Sequence, residues 1–61
     1  MSNDVFGEWV IQNINEPNLF WSNTYAWTTL EWADTFSESE RMRVNLPFGG
    51  EWITKESVNV R

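Results

Sequence analysis

The chain has 61 residues, among them five Trp, four Phe and one Tyr but no Cys and no His, and its nine acidic and four basic residues give a formal net charge of −5. That length predicts one domain, residues 1–61, with no second core, and the missing Cys and His exclude a disulfide framework and an ordinary zinc site. Residues 1–40 hold seven carboxylates and no Lys or Arg (−7), whereas residues 41–61 hold Arg41, Arg43, Lys55 and Arg61 against Glu51 and Glu56 (+2); such an acidic half argues against a clamp for nucleic-acid phosphates and against an anionic membrane surface.

Met1–Val5 reads as a frayed polar start. Phe6–Ile14 mixes β-branched and aromatic residues and reads as a first strand. Trp9 and Ile11 point one way and Val10 and Ile14 the other, which suits a central strand buried on one face and half covered on the other. Asn15-Glu16-Pro17-Asn18 is a turn, with Pro17 presetting φ and Asn18 tolerant of a left-handed backbone. Leu19–Ser22 is a short second strand, Asn23-Thr24-Tyr25 a second turn and Ala26–Leu30 a third strand. Trp21 and Trp27 flank that turn and are expected to meet as a cross-strand aromatic pair. Glu31–Thr35 is compatible with either a strand extension or a helical turn.

The strongest local signal follows. Ser37 with Glu40 three residues later spells a capping box, each side chain meeting the other's amide. Glu38 and Glu40 sit at the positive end of the helix dipole, and Arg41 and Arg43 lie towards the negative end. The helix is expected over Glu38–Asn45, with Met42 and Leu46 on one face that packs on the sheet, and Pro47 stopping it. Gly49-Gly50 turns the chain, at least one of the two with positive φ, into a last strand over Glu51–Val60. These elements predict an α+β fold: a small three- to four-stranded antiparallel sheet with one short helix, in the order β-β-β-α-β. No apolar run spans a bilayer and no signal peptide is recognisable, so a cytosolic protein is expected.

No residue set specifies a reaction. Glu31 and Asp34 form the only carboxylate pair worth weighing for acid–base work, and a chain this small has little material for a water-excluding cleft. Gly49-Gly50 lacks the Lys-Ser/Thr context of a phosphate loop. Asp34, Glu38 and Glu40 lack the spacing of a calcium loop. No enzyme activity, cofactor or metal is expected. The five Trp chiefly have to build the core, because few other residues offer comparable area. One or two should remain at the rim, and Trp32, between acidic neighbours, is the first candidate for an interface anchor. The acidic group Glu31, Asp34, Glu38 and Glu40 reads either as a solvated, helix-capping face or as an imitation of nucleic-acid phosphates. Binding of single-stranded nucleic acid by stacked Trp would need cations beside the rings, and few are present.

Three blocks occur in order: Phe20-Trp21-Ser22-Asn23 with Trp27, then Ala33-Asp34-Thr35-Phe36-Ser37-Glu38-Ser39-Glu40, then Leu46-Pro47-Phe48-Gly49-Gly50-Glu51-Trp52. Together they resemble a group of very small, uncharacterised proteins encoded by bacteriophages, over roughly residues 9–54. Trp32, Arg41 and Arg43 depart from the usual look of that group. The resemblance implies no active site; it implies an accessory phage protein working in the cytoplasm of the bacterial host. The expected function is therefore non-enzymatic: binding and modulation of a host bacterial protein through an acidic, Trp-containing surface made of Glu31, Trp32, Asp34, Glu38 and Glu40. The alternatives are a small self-assembling protein, such as a homodimer joined through its aromatic face, and a nucleic-acid mimic that blocks a host DNA-binding or defence protein.

Overall fold

The computed structural model describes residues 8–59. The expected polar start, the first two residues of the first predicted strand and the last residue of the final one lie outside the described residues. Four antiparallel strands form one sheet: β1 (Trp9–Asn13), β2 (Phe20–Ser22), β3 (Ala26–Thr28) and β4 (Gly50–Thr54), in the order β3-β2-β1-β4. A 3-10 turn over Leu30–Trp32 and helix α1 (Glu38–Arg43) lie between β3 and β4, and helix α2 (Lys55–Asn59) follows β4. The fold is α+β with the predicted β-β-β-α-β order, extended by α2.

β1 is central, and its register runs from Trp9 opposite Thr54 to Asn13 opposite Gly50. Against β2 it pairs at Gln12–Phe20, after which the two strands part. The chain over Asp34–Phe36 enters the gap: the Asp34 amide donates to the Trp21 carbonyl at 3.1 Å, and Trp9 and Phe36 exchange two backbone bonds of 2.8 Å. Trp9 thus has Thr54 on one side and Phe36 on the other.

Because paired residues share a face, the registers put Trp9, Ile11, Trp21, Trp27 and Trp52 on one side and Val10, Phe20 and Ile53 on the other. Phe36 joins the Trp face, meeting Trp52 edge to face at 5.3 Å, while Trp21 and Trp27 form the expected cross-strand pair at 5.2 Å with planes 76° apart. The fully or nearly buried apolar residues are Val10, Ile11, Phe20 and Phe36, so the centre of β1 is covered on both faces. Ile14 emerges into solvent.

The sheet is strongly coiled. β3 and β4 are three strand spacings apart, about 14 Å in a flat sheet. Yet the far edge of the Trp27 ring lies 3.2 Å from where a Cβ on Gly50 would stand, and Ile11 Cγ2 lies 2.6 Å from it. The Trp side lies inside the curve, and Gly50 is small because buried Ile11 and the half-buried Trp27 ring occupy the space beside it. Gly49 serves a different purpose: with φ 86° it takes the left-handed corner of the turn closed by the Gly50 amide on the Pro47 carbonyl at 3.0 Å. Phe48, at the outer position of that turn, is fully exposed.

Four expectations need correction. The last strand ends at Thr54 rather than Val60, because the Thr54 hydroxyl accepts the Ser57 amide at 3.2 Å and starts α2. The third strand stops at Thr28, and Leu30 begins the 3-10 turn. Helix α1 ends two residues short of Asn45: Val44 is already extended (φ −88°, ψ 134°), its amide closing the last turn on Glu40 at 2.8 Å. The restriction that Pro47 places on its predecessor, together with a β-branched Val44, releases the chain early. Finally, Met42 and Leu46 do not pack on the sheet; they are 73% and 41% exposed, and α1 buries none of its residues.

Candidate functional site

Helix α1 is fastened at its start rather than along a face. The predicted capping box is present, with the Glu40 amide donating to Ser37 Oγ at 3.1 Å and the Ser37 amide to Glu40 Oε1 at 2.8 Å. Glu38 then accepts the Trp9 indole N–H at 2.9 Å and pairs with Arg41 at 2.6 Å, while the Arg41 guanidinium lies 4.5 Å from the centre of the Trp9 ring. The Arg41 hydrogen bond holds the Glu38 carboxyl below its ordinary value against the opposing effect of desolvation, and the Trp9 indole adds a lesser lowering. Trp9, expected in the core, is half-buried and forms the seat of the helix.

The β2–β3 tip is held equally firmly. Buried Ser22 Oγ accepts the amides of Thr24 and Tyr25, each at 3.0 Å, and the Trp21 indole N–H donates to Asn23 Oδ1 at 3.1 Å. The Asn23 amide donates to Asp34 Oδ2 at 2.8 Å. These bonds keep Ala26 at φ 65°, a conformation that hairpin loops normally assign to Gly or Asn. Since Asp34 also bonds Trp21, it anchors the chain just after the 3-10 turn and fixes where Trp32 stands.

The result is an aromatic corner. Trp32 and Tyr25 are 61% and 58% exposed, and their rings meet edge to face at 6.0 Å and 76°. With Trp27 and Thr28 they line an open groove of about 350 Å³ beside β3. Of the five residues singled out from the sequence, Trp32 is in this corner and Glu31 is exposed beside it in the same turn. Asp34 lies behind it, bonded to the hairpin tip. Glu38 and Glu40 belong to the start of α1, where both side chains are engaged within the chain. The sequence reading missed Tyr25, Trp27 and Thr28. The available signal was the run Tyr25-Ala26-Trp27, which places one aromatic on a turn and the next on the adjoining strand.

Among the described residues, no group of three or more His, Cys, Asp or Glu could hold a metal ion, and no helix is long and apolar enough to cross a membrane. No protein-family model, curated protein or solved structure matches the chain.

Proposed function

We propose that this chain is a non-enzymatic binding module, an accessory phage protein that docks on a host bacterial protein through the corner of Tyr25, Trp27 and Trp32 with Glu31 at its rim. The observation that carries this reading is the exposure of two large aromatics held in a fixed edge-to-face arrangement over a groove. Rigid, partly exposed Trp and Tyr supply contact area at little entropic cost and dominate the energetics of many interfaces. The phage origin and the host cytoplasm rest on the three sequence blocks. The acidic set supports a nucleic-acid mimic less well, because Asp34, Glu38 and Glu40 already accept hydrogen bonds inside the chain.

The test is capture of partners from bacterial lysate by tagged protein, with and without nuclease, using the native chain and a Trp32→Ala, Glu31→Lys variant. One nuclease-resistant protein retained by the native chain and lost by the variant is the expected result. Equal retention by both would remove the corner as the site. A second reading, self-assembly, has exposed Met42, Leu46 and Phe48 in its favour. It predicts a mass and melting temperature that rise with concentration and a monomer on Phe48→Ser.

A further inference from the structure

β3 is an edge strand, and the direction of its free backbone groups follows from bonds elsewhere in the sheet. The Leu19 carbonyl accepts the Asn13 amide at 2.9 Å, so it points towards β1. Two residues on, the Trp21 carbonyl must point the same way, and it accepts the Asp34 amide on that side. In an antiparallel pair, a residue whose amide and carbonyl face away from the neighbour belongs to a non-hydrogen-bonded pair. Trp21 opposite Trp27 is such a pair. The Trp27 N–H and C=O therefore point outward from the sheet, at the edge where Tyr25, Thr28 and Trp32 line the groove. Among the described residues nothing bonds to them.

An unpaired donor and acceptor on one residue of an edge strand is the template for adding another strand. Resting on the binding reading above, we propose that the occupant of this groove is an extended segment of a partner protein. It pairs with the Trp27 backbone as a fifth strand and lays a lysine or arginine side chain against the exposed outer side of the Trp32–Tyr25 pair. The charge argues for a cation: residues 8–40 contain no Lys or Arg, and Glu31 is exposed at the rim. A cation against the faces of Trp and Tyr also gains from the ring quadrupoles. The same charges disfavour a second copy, which would bring another Glu31 and a net −5 to the same edge.

The experiment uses the whole protein, labelled with ¹⁵N, and N-acetylated, C-amidated peptides of alternating valine and lysine. One peptide is unmodified. A second series carries N-methyl groups on alternate amides, so that one register blocks the N–H facing β3 and the other blocks only the outward edge. Expected is a saturable shift of the Trp27 amide, slowed exchange of its proton, and weakening by about tenfold when the facing amide is methylated, since one backbone bond is lost. A glutamate-for-lysine peptide should bind more weakly, and Glu31→Lys should reverse that order. Saturable shifts at the Trp32 indole with no protection of Trp27, and equal binding of both methylated series, would overturn strand addition while leaving the aromatic corner as a binding site. No saturable shift at either position overturns the inference too, whereas the lysate comparison with the Trp32 variant reads the broader proposal independently. Protection of Trp27 that grows with protein concentration alone would make a second copy the occupant and overturn it as well.

Discussion

Ala26 is the residue whose own preference conflicts most plainly with its place. A side chain at φ 65° costs roughly 1–2 kcal/mol relative to a right-handed conformation. The tip overrides it because Ser22, Asn23 and Asp34 together accept four hydrogen bonds around the turn. Ala26→Gly should therefore raise stability by about 0.5–1 kcal/mol, after allowing for the greater freedom of glycine in the unfolded chain. The shift of the urea midpoint at unchanged m-value measures it. Lower stability in the glycine variant would show that the tip tolerates the alanine without strain. Trp9 makes the converse point. From the alternation of β1 it reads as core, and in the fold it divides its ring between the sheet and the charged pair of Glu38 and Arg41.

At the scale of elements, α1 is the informative case. Its start was legible because a capping box involves only neighbouring residues. The direction of its apolar face was not, because that depends on where the Trp9–Phe36 bridge places the helix. Met42 and Leu46 at four-residue spacing look like a packing stripe and end up in solvent. The same division holds elsewhere. The Gly49-Gly50 turn, the Trp21–Trp27 pair and the β1-β2-β3 meander follow from local pattern, while α2 was hidden because the strand-like Trp52-Ile53 and Val58-Asn59-Val60 flank its polar start at Lys55-Glu56-Ser57. The candidate corner was half legible: Trp32 stood out by its acidic neighbours, but Tyr25 and Trp27 joined it only when the 3-10 turn folded Trp32 back.

Acid should loosen the seat of α1. Glu38 has a lowered pKa in the folded chain, so its contribution is complete above the ordinary glutamate range and is lost as pH falls through the lowered value. The Trp9 indole N–H resonance, followed from neutral pH downward, should move with a midpoint below that of a free glutamate. Glu38→Gln should abolish that step, and a step that persists in the variant would assign it to another group.

Across the whole molecule, the coiled sheet concentrates stability in a few contacts. Ile11, Trp27 and Gly50 meet on the inner face, joining the two outermost strands over the two inner ones. A methyl group on Gly50 has no room unless fully buried Ile11 or the Trp27 ring shifts. Gly50→Ala should cost about 1–3 kcal/mol, as expected of overpacking, and should perturb the Trp27 ring environment as well as the melting temperature. In a domain of this size such a loss is a large share of the total. Stability equal to that of the native chain would mean that the inner face is looser than its geometry indicates. Because Trp27 reaches from the core to the groove, the variant should also disturb the corner more than Gly49→Ala, whose added methyl meets nothing within 4 Å.

The Trp21–Trp27 pair has an optical consequence. Two indoles 5.2 Å apart and inclined by 76° are near enough for their electronic transitions to couple, which splits them into an exciton couplet of opposite signs at the long-wavelength edge of the peptide circular dichroism. That couplet belongs to the β2–β3 hairpin alone. It gives the molecule an intrinsic, label-free reporter of whether its edge hairpin is closed, readable separately from the helices and from the tryptophans at the other end of the sheet.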